Sequence, residues 1–188
     1  MSCAKCWIPS ITDYIGFYEN IIPDSVCDNI IDHDWSMRKS TYSNNEGKSK
    51  TSDERVEMDE VWVMKDMPYY DDIKKGVLKT IKEYSNHHKL FSCQRHTDFR
   101  INKYSKGGFM SEHVDNIHHS HGQQYGYPQV SVLLYLNDDY EGGEFFVAKE
   151  MFLPEKGSSI IFPSNFMYPH EAKSVTKGTR WSIVSWLM

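Results

Sequence analysis

Phe99-Arg100-Ile101-Asn102-Lys103-Tyr104, a turn at Lys106-Gly107-Gly108, and then Met110-Ser111-Glu112-His113-Val114-Asp115 form the stretch that decides the fold class. From about Thr97 the apolar period drops from 3.6 residues to 2, which is the pattern of a strand with one face on a core. The same pattern recurs downstream. Val130 to Leu136 is the most apolar run and ends at Asn137-Asp138-Asp139; Glu144 to Val147 follows the Gly142-Gly143 turn. Ser158 to Phe162 precedes Pro163-Ser164-Asn165, and Arg180 to Leu187 is a further strand. Short strands punctuated by Gly, Pro and Asn turns predict a sandwich or barrel.

Upstream the period is helical. Asp24, as cap, opens a predicted helix through His33 with Val26, Ile30 and Ile31 as its apolar stripe. Pro68 starts a second one to about His88, with Ile73, Val77, Leu78, Ile81 and Tyr84 at helical spacing. Ile11 to Tyr18 reads as a short strand or entry segment, Glu60 to Met64 as a strand, and the polar stretch 43–55 as a mobile loop by composition. The expectation is one domain over 1–188, mainly β with supporting α-helices: helical support and strands over 1–96, a β double sheet over 97–188.

A chain of 188 residues can bury a substantial single core, and 39% hydrophobic with 25% charged residues is globular rather than disordered composition. The 12 Tyr, 9 Phe and 5 Trp favour strands over helices. A net charge of −5 argues against binding nucleic acid through its phosphates. No run approaches the roughly 20 apolar residues of a membrane span. Met1 to Trp7 lacks the apolar stretch of a secretory leader, so a cytoplasmic protein is expected. Cys3 and Cys6 form a CxxC, but no second pair exists to complete a structural zinc site; with Cys27 and Cys93 they read as reduced thiols.

Candidate chemistry gathers on few residues. Side chains two apart on a strand share a face, so His113 and Asp115 can grip one ion together. Alone, a His-x-Asp pair is more often a solvated surface feature. Here a glycine turn precedes it, and His170 stands downstream before a strand that begins with arginine. Two imidazoles and one carboxylate are the facial triad of non-haem Fe(II) sites, which leaves about three of six coordination positions open. On the strand from Arg180, residues Arg180, Ser182, Val184 and Trp186 share one face. An arginine among apolar neighbours is costly unless an anion meets it, and its fork suits the far end of a dicarboxylate. The histidines at 118, 119 and 121 read as an exposed loop rather than a second metal site, and 116–128 as a segment able to cover a substrate.

Tyr104, His113, Asp115, Gly142-Gly143-Glu144, His170 and Arg180 together resemble the 2-oxoglutarate and Fe(II)-dependent oxygenases, specifically their prolyl 4-hydroxylase-like branch. Phe17 to Pro23 and the helix after it also look like that family. The resemblance implies a double-stranded β-helix, a jelly roll with helices on one side. It implies Fe(II) on His113, Asp115 and His170, and 2-oxoglutarate as cosubstrate with its distal carboxylate on Arg180 and Tyr104. Ser131 is placed near the cosubstrate and Trp186 at the mouth of the substrate site. Dioxygen is the oxidant, and ascorbate a candidate reductant. The implied activity is hydroxylation of a prolyl residue in a peptide or protein partner, by a chain compatible with a monomer. Asp115 favours hydroxylation, because related halogenases lack that carboxylate. Hydroxylases of lysyl residues or free amino acids carry similar triads, and a non-catalytic metal-binding jelly-roll module is the alternative from a different class. Arg180 and Tyr104 discriminate against that module, which has no use for a dicarboxylate clamp.

Overall fold

Antiparallel pairing gathers the strands into two main sheets. The computed structural model describes residues 10–43, 49–50, 54–93, 95–116 and 127–188; Cys3, Cys6, the histidines at 118–121 and most of the 43–55 and 116–128 segments lie outside them. In chain order the strands are β1 (Gly16–Tyr18), β2 (Arg38–Lys39), β3 (Tyr42–Ser43), β4 (Ser49–Lys50), β5 (Val56–Glu57), β6 (Asp59–Val63), β7 (Phe99–Tyr104) and β8 (Phe109–His113). They continue as β9 (Val130–Tyr135), β10 (Glu141–Gly142), β11 (Phe145–Val147), β12 (Glu150–Phe152), β13 (Ser159–Pro163), β14 (His170–Ala172), β15 (Val175–Lys177) and β16 (Arg180–Leu187). The helices are α1 (Asp24–Asp32) and α2 (Tyr70–His87).

The larger sheet runs β1-β13-β9-β16-β7-β6-β2 and the smaller one β12-β11-β14-β8-β5. Two such antiparallel sheets over a shared core are the jelly roll. Strands from before residue 64 join both sheets, so the N-terminal half builds β structure as well as helices.

Alternation divides the apolar side chains between two cores. Trp181, Ile183 and Leu187 of β16 pack with Val132 and Leu134 of β9 and Phe99 and Ile101 of β7 in the core that also holds Ile30, Ile73 and Val77 of the helices. Val184 and Trp186 belong instead to the core between the sheets, with Leu133, Phe145 and Phe162. Each face is apolar, as a sheet covered on both sides requires.

Several sequence expectations shift in detail. Ile11–Tyr14 is a 3₁₀ turn capped by Ser10, and only Gly16–Tyr18 is strand. Asp24 is the first residue of α1 rather than its cap; the carbonyl of Pro23 accepts from Val26 and Cys27, and no side chain caps the helix. Helix α2 begins at Tyr70 because Tyr69 sits at φ 62°, outside helical geometry. Its buried stripe is Ile73, Gly76, Val77, Thr80 and Tyr84, whereas Leu78 is 48% exposed. No helix among the described residues is long and apolar enough to cross a membrane.

Gly76 sits where α2 meets the chain before α1: a Cβ there would lie 2.8 Å from Cγ1 of Ile22. Alanine usually favours a helix over glycine by about 1 kcal/mol, while overpacking costs about 1–3 kcal/mol. Gly76→Ala is therefore expected to lower stability in urea unfolding, opposite to the helix-propensity sign; a stabilised variant would show that this contact relaxes freely.

Candidate active site

The pairing of β14 with β8 sets His170 directly across from His113. Both histidines are oriented from behind. Nδ1 of His113 is 2.8 Å from the carbonyl of Ser111, and Nδ1 of His170 is 3.2 Å from that of Tyr168. With the proton on Nδ1 in each ring, both Nε2 atoms are left to face Asp115. Asp115 lies beyond the end of β8, so the pair does not share a strand face as the spacing predicted. The chain instead leaves the sheet after His113, and the Asn116 N–H donates to the Ser164 carbonyl at 2.9 Å. The three side chains converge nonetheless: one ligand atom from each of His113, Asp115 and His170 lies within 4.8 Å of the others. Nε2 of His113 is 3.5 Å from one Asp115 oxygen and Nε2 of His170 is 3.4 Å from the other.

Asp115 is held ionised. Burial opposes its charge, but His170 and then His113 outweigh burial and keep the carboxyl well below the usual range. The two imidazoles split. Burial and His170 push His113 down, while Asp115 overcomes burial at His170 and pushes it up. Ser131 was expected beside a cosubstrate; its hydroxyl donates to Asp115 Oδ2 at 2.6 Å and shares a 2.7 Å hydrogen bond with Ser164. Both serines are fully buried. Ser164 was not picked out from sequence, because Pro163-Ser164-Asn165 reads as a turn and its partner is distant along the chain.

The inward faces of β7, β9 and β16 shape the remainder. Arg180 pairs across the sheet with Tyr104 and is only 1% exposed. Its guanidinium carbon lies 4.9 Å from the Tyr104 ring centre and 5.2 Å from that of Tyr135. Nε, Nη1 and Nη2 all lack a hydrogen-bond acceptor in the protein. Burial disfavours the charge; Tyr135, Tyr104 and Tyr140 favour it and hold the group above its ordinary pKa, but a phenol is no counter-anion and none of the three meets it in hydrogen-bonding geometry. Two features fix its position. Asn137 brackets it, donating to the Thr179 carbonyl at 2.7 Å and accepting from the Trp181 N–H at 2.8 Å. At Gly143, φ is 67° and a Cβ would come within 3.2 Å of Arg180 Cδ, so the glycine turn clears space for the arginine.

One pocket is lined by Arg180, Tyr104, the His–Asp–His set and Trp186 together. Trp186 is 3% exposed, so it forms part of the inner wall instead of an open rim, its ring 6.0 Å from that of Trp62. Arg100 and Asn102 line the same pocket. Sequence reading did not single them out, although they stand two and four residues before Tyr104 on its strand face.

Residues 99–188 match the family described as the 2OG-Fe(II) oxygenase superfamily. They make up just under half of the chain. That family implies Fe(II), 2-oxoglutarate and dioxygen, for which the converged His–Asp–His set and the unmatched guanidinium are suitable groups. Human prolyl 3-hydroxylase 2 is 39% identical over 69 residues, which cover 33% of this chain and 10% of that protein. A PKHD-type hydroxylase of Rippkaea orientalis is 34% identical over 93 residues, 46% of this chain and 40% of the relative. The chain thus spans well under two thirds of either relative. A solved prolyl hydroxylase from Trichoplax adhaerens, in complex with a hypoxia inducible factor peptide fragment, superposes with a TM-score of 0.73 at 17% identity, covering 94% of this chain and 84% of that one. That likeness places the jelly roll across nearly the whole chain.

Groups that orient a metal-binding carboxylate typically contribute about 10- to 100-fold to metal affinity. Ser131→Ala is expected to weaken Mn(II) binding by about that factor in calorimetry, with the circular dichroism spectrum unchanged. Unaltered affinity would mean that Ser164 or water orients Asp115 equally well.

Proposed function

We propose that the chain is an Fe(II)- and 2-oxoglutarate-dependent dioxygenase that hydroxylates a prolyl residue in a peptide or protein. Arg180 carries this reading: a fully buried cation with no acceptor of its own, lining the pocket that also holds His113, Asp115 and His170. A metal-binding jelly-roll module would have no reason to bear the cost of that unmatched charge.

His113 and His170 would hold Fe(II) through Nε2 and Asp115 through its carboxylate. When bound, the metal supplies the oxidative decarboxylation of 2-oxoglutarate coupled to C–H hydroxylation. The protein's own part is geometry and electrostatics. Arg180 and Tyr104 bind the distal carboxylate, with Asn137 and Gly143 fixing the arginine. Ser131 keeps Asp115 oriented. Leu133, Phe145 and Val184 line the pocket with apolar surface and exclude water. Trp186 offers a ring face to proline, whose apolar ring needs no partner for an absent N–H. The prolyl hydroxylase names of the relatives, and the peptide held by the solved neighbour, support a peptidyl partner. We further read the chain as one catalytic domain acting as a monomer in the cytoplasm, where free thiols such as Cys27 and Cys93 stay reduced, with ascorbate maintaining the iron.

Succinate release from 2-oxoglutarate, with Fe(II), ascorbate and a panel of proline-containing peptides, tests the reading, and mass spectrometry should find one added oxygen on proline. Oxygen gained only on lysine or a free amino acid would redirect the substrate; no succinate with any substrate would remove the oxygenase reading. His170→Ala should abolish turnover. Arg180→Ala should weaken 2-oxoglutarate binding by about 10- to 100-fold, the loss of a charge-assisted pair worth about 1.5–3 kcal/mol, while metal affinity changes little. Unchanged cosubstrate affinity in that variant would place its anchor elsewhere.

A further inference from the structure

Arg100 is a second buried cation in the same pocket, and its position differs from that of Arg180. On β7 the pocket-facing residues are Arg100, Asn102 and Tyr104. Tyr104 stands across from Arg180, whereas Arg100 stands across from Val184. Four residues of strand separate the two positions, about 13 Å. The guanidinium carbon of Arg100 lies 5.1 Å from the ring centre of Trp186, and Trp186 pairs across the sheet with Ser131, which holds Asp115. Arg100 therefore sits toward the His–Asp–His end and Arg180 away from it.

Its partners in the protein are insufficient. Nη1 reaches Glu60 Oε2 at 3.5 Å, at the outer limit of a hydrogen bond. Glu60 is shared: Ser40 donates to the same oxygen at 2.9 Å, and Arg38 meets the other at 3.4 Å. Arg100 is 9% exposed and its Nε has no acceptor. A guanidinium can only donate, so the missing group is an acceptor oxygen. Glu60, though shared with Arg38, already sets one carboxylate against this guanidinium, so a neutral carbonyl oxygen is enough to supply the remaining acceptor. The bond preceding a proline matches this demand, since it presents a carbonyl with no N–H beside it.

Building on the prolyl reading above, we infer that Arg100 is a specificity-determining residue that donates to the carbonyl preceding the target proline while the proline ring lies against Trp186. Arg100 would thus select a peptide over a free amino acid, which has no such carbonyl.

Calorimetry with Mn(II)- and 2-oxoglutarate-loaded protein and short, end-capped, proline-centred peptides tests this without turnover. Arg100→Met should weaken peptide binding by about 10- to 100-fold. Its 2-oxoglutarate affinity and melting temperature should be preserved, because Glu60 retains Arg38 and Ser40. Replacing the carbonyl before proline by a thioamide, a poorer acceptor, should weaken binding to the unmodified protein but not to Arg100→Met. Equal peptide affinity in both proteins, or equal thioamide loss in both, overturns the inference alone. So does a variant that loses 2-oxoglutarate affinity and stability together, which would make Arg100 structural. Unmodified protein that binds 2-oxoglutarate but no prolyl peptide overturns the prolyl reading and this inference with it.

Discussion

Strand β16 has to satisfy two environments at once, and the arrangement of everything around it follows. It is buried along its whole length between β9 and β7, with one set of alternate side chains under the helices and the other between the sheets. A slip of one residue would drive Arg180 into the helix-covered core and turn Trp181 and Ile183 into the pocket. Register is therefore fixed at high cost of error. The two flanking ladders hold it along its length, and Asn137 holds it where an error would be worst, by bonding the peptide groups on either side of Arg180.

The pocket shows how unevenly buried polar groups are treated in this chain. Asp115 accepts from Ser131, lies between two imidazoles and stays charged. By contrast, Arg180, Arg100, Asn102, Tyr135 and Ser182 each carry at least one buried polar atom with no partner, and all five come from β7, β9 or β16. Each such atom costs about 1–3 kcal/mol relative to a matched one. Arg180, Arg100 and Asn102 also line the pocket, so a polar ligand that supplies their partners stabilises the native state by mass action.

Local signals made much of this visible in the sequence. The bounds of β7 and β16 were read as found, and β9 within one residue, because alternation and the turn residues that end a strand are properties of short windows. His113, Asp115, His170 and Arg180 were legible because their chemistry is unusual in a strand-rich context. What stayed hidden depends on contacts between distant segments. β14 is only three residues long and begins directly after Pro169, too short to show alternation, and it becomes a strand through pairing with β8 and β11. The Ser131–Ser164 bond joins strand β9 to the turn after β13, which composition does not connect. Arg100 was passed over and Leu78 misplaced for one reason: a periodic pattern locates a face but does not say whether the tertiary structure covers it.

The central place of β16 also has a temporal side. Its partners β7 and β9 both precede it in the chain, and in the finished sheet they do not touch each other in β pairing but only through it. A nascent or refolding chain in which β16 has not docked presents two apolar strand edges facing an empty lane, the arrangement most open to pairing with another molecule. Both ladders of β16 are long-range, so closing that lane is slow compared with forming either helix. Solubility of this protein during synthesis is thus set less by its surface than by how quickly one late strand is inserted.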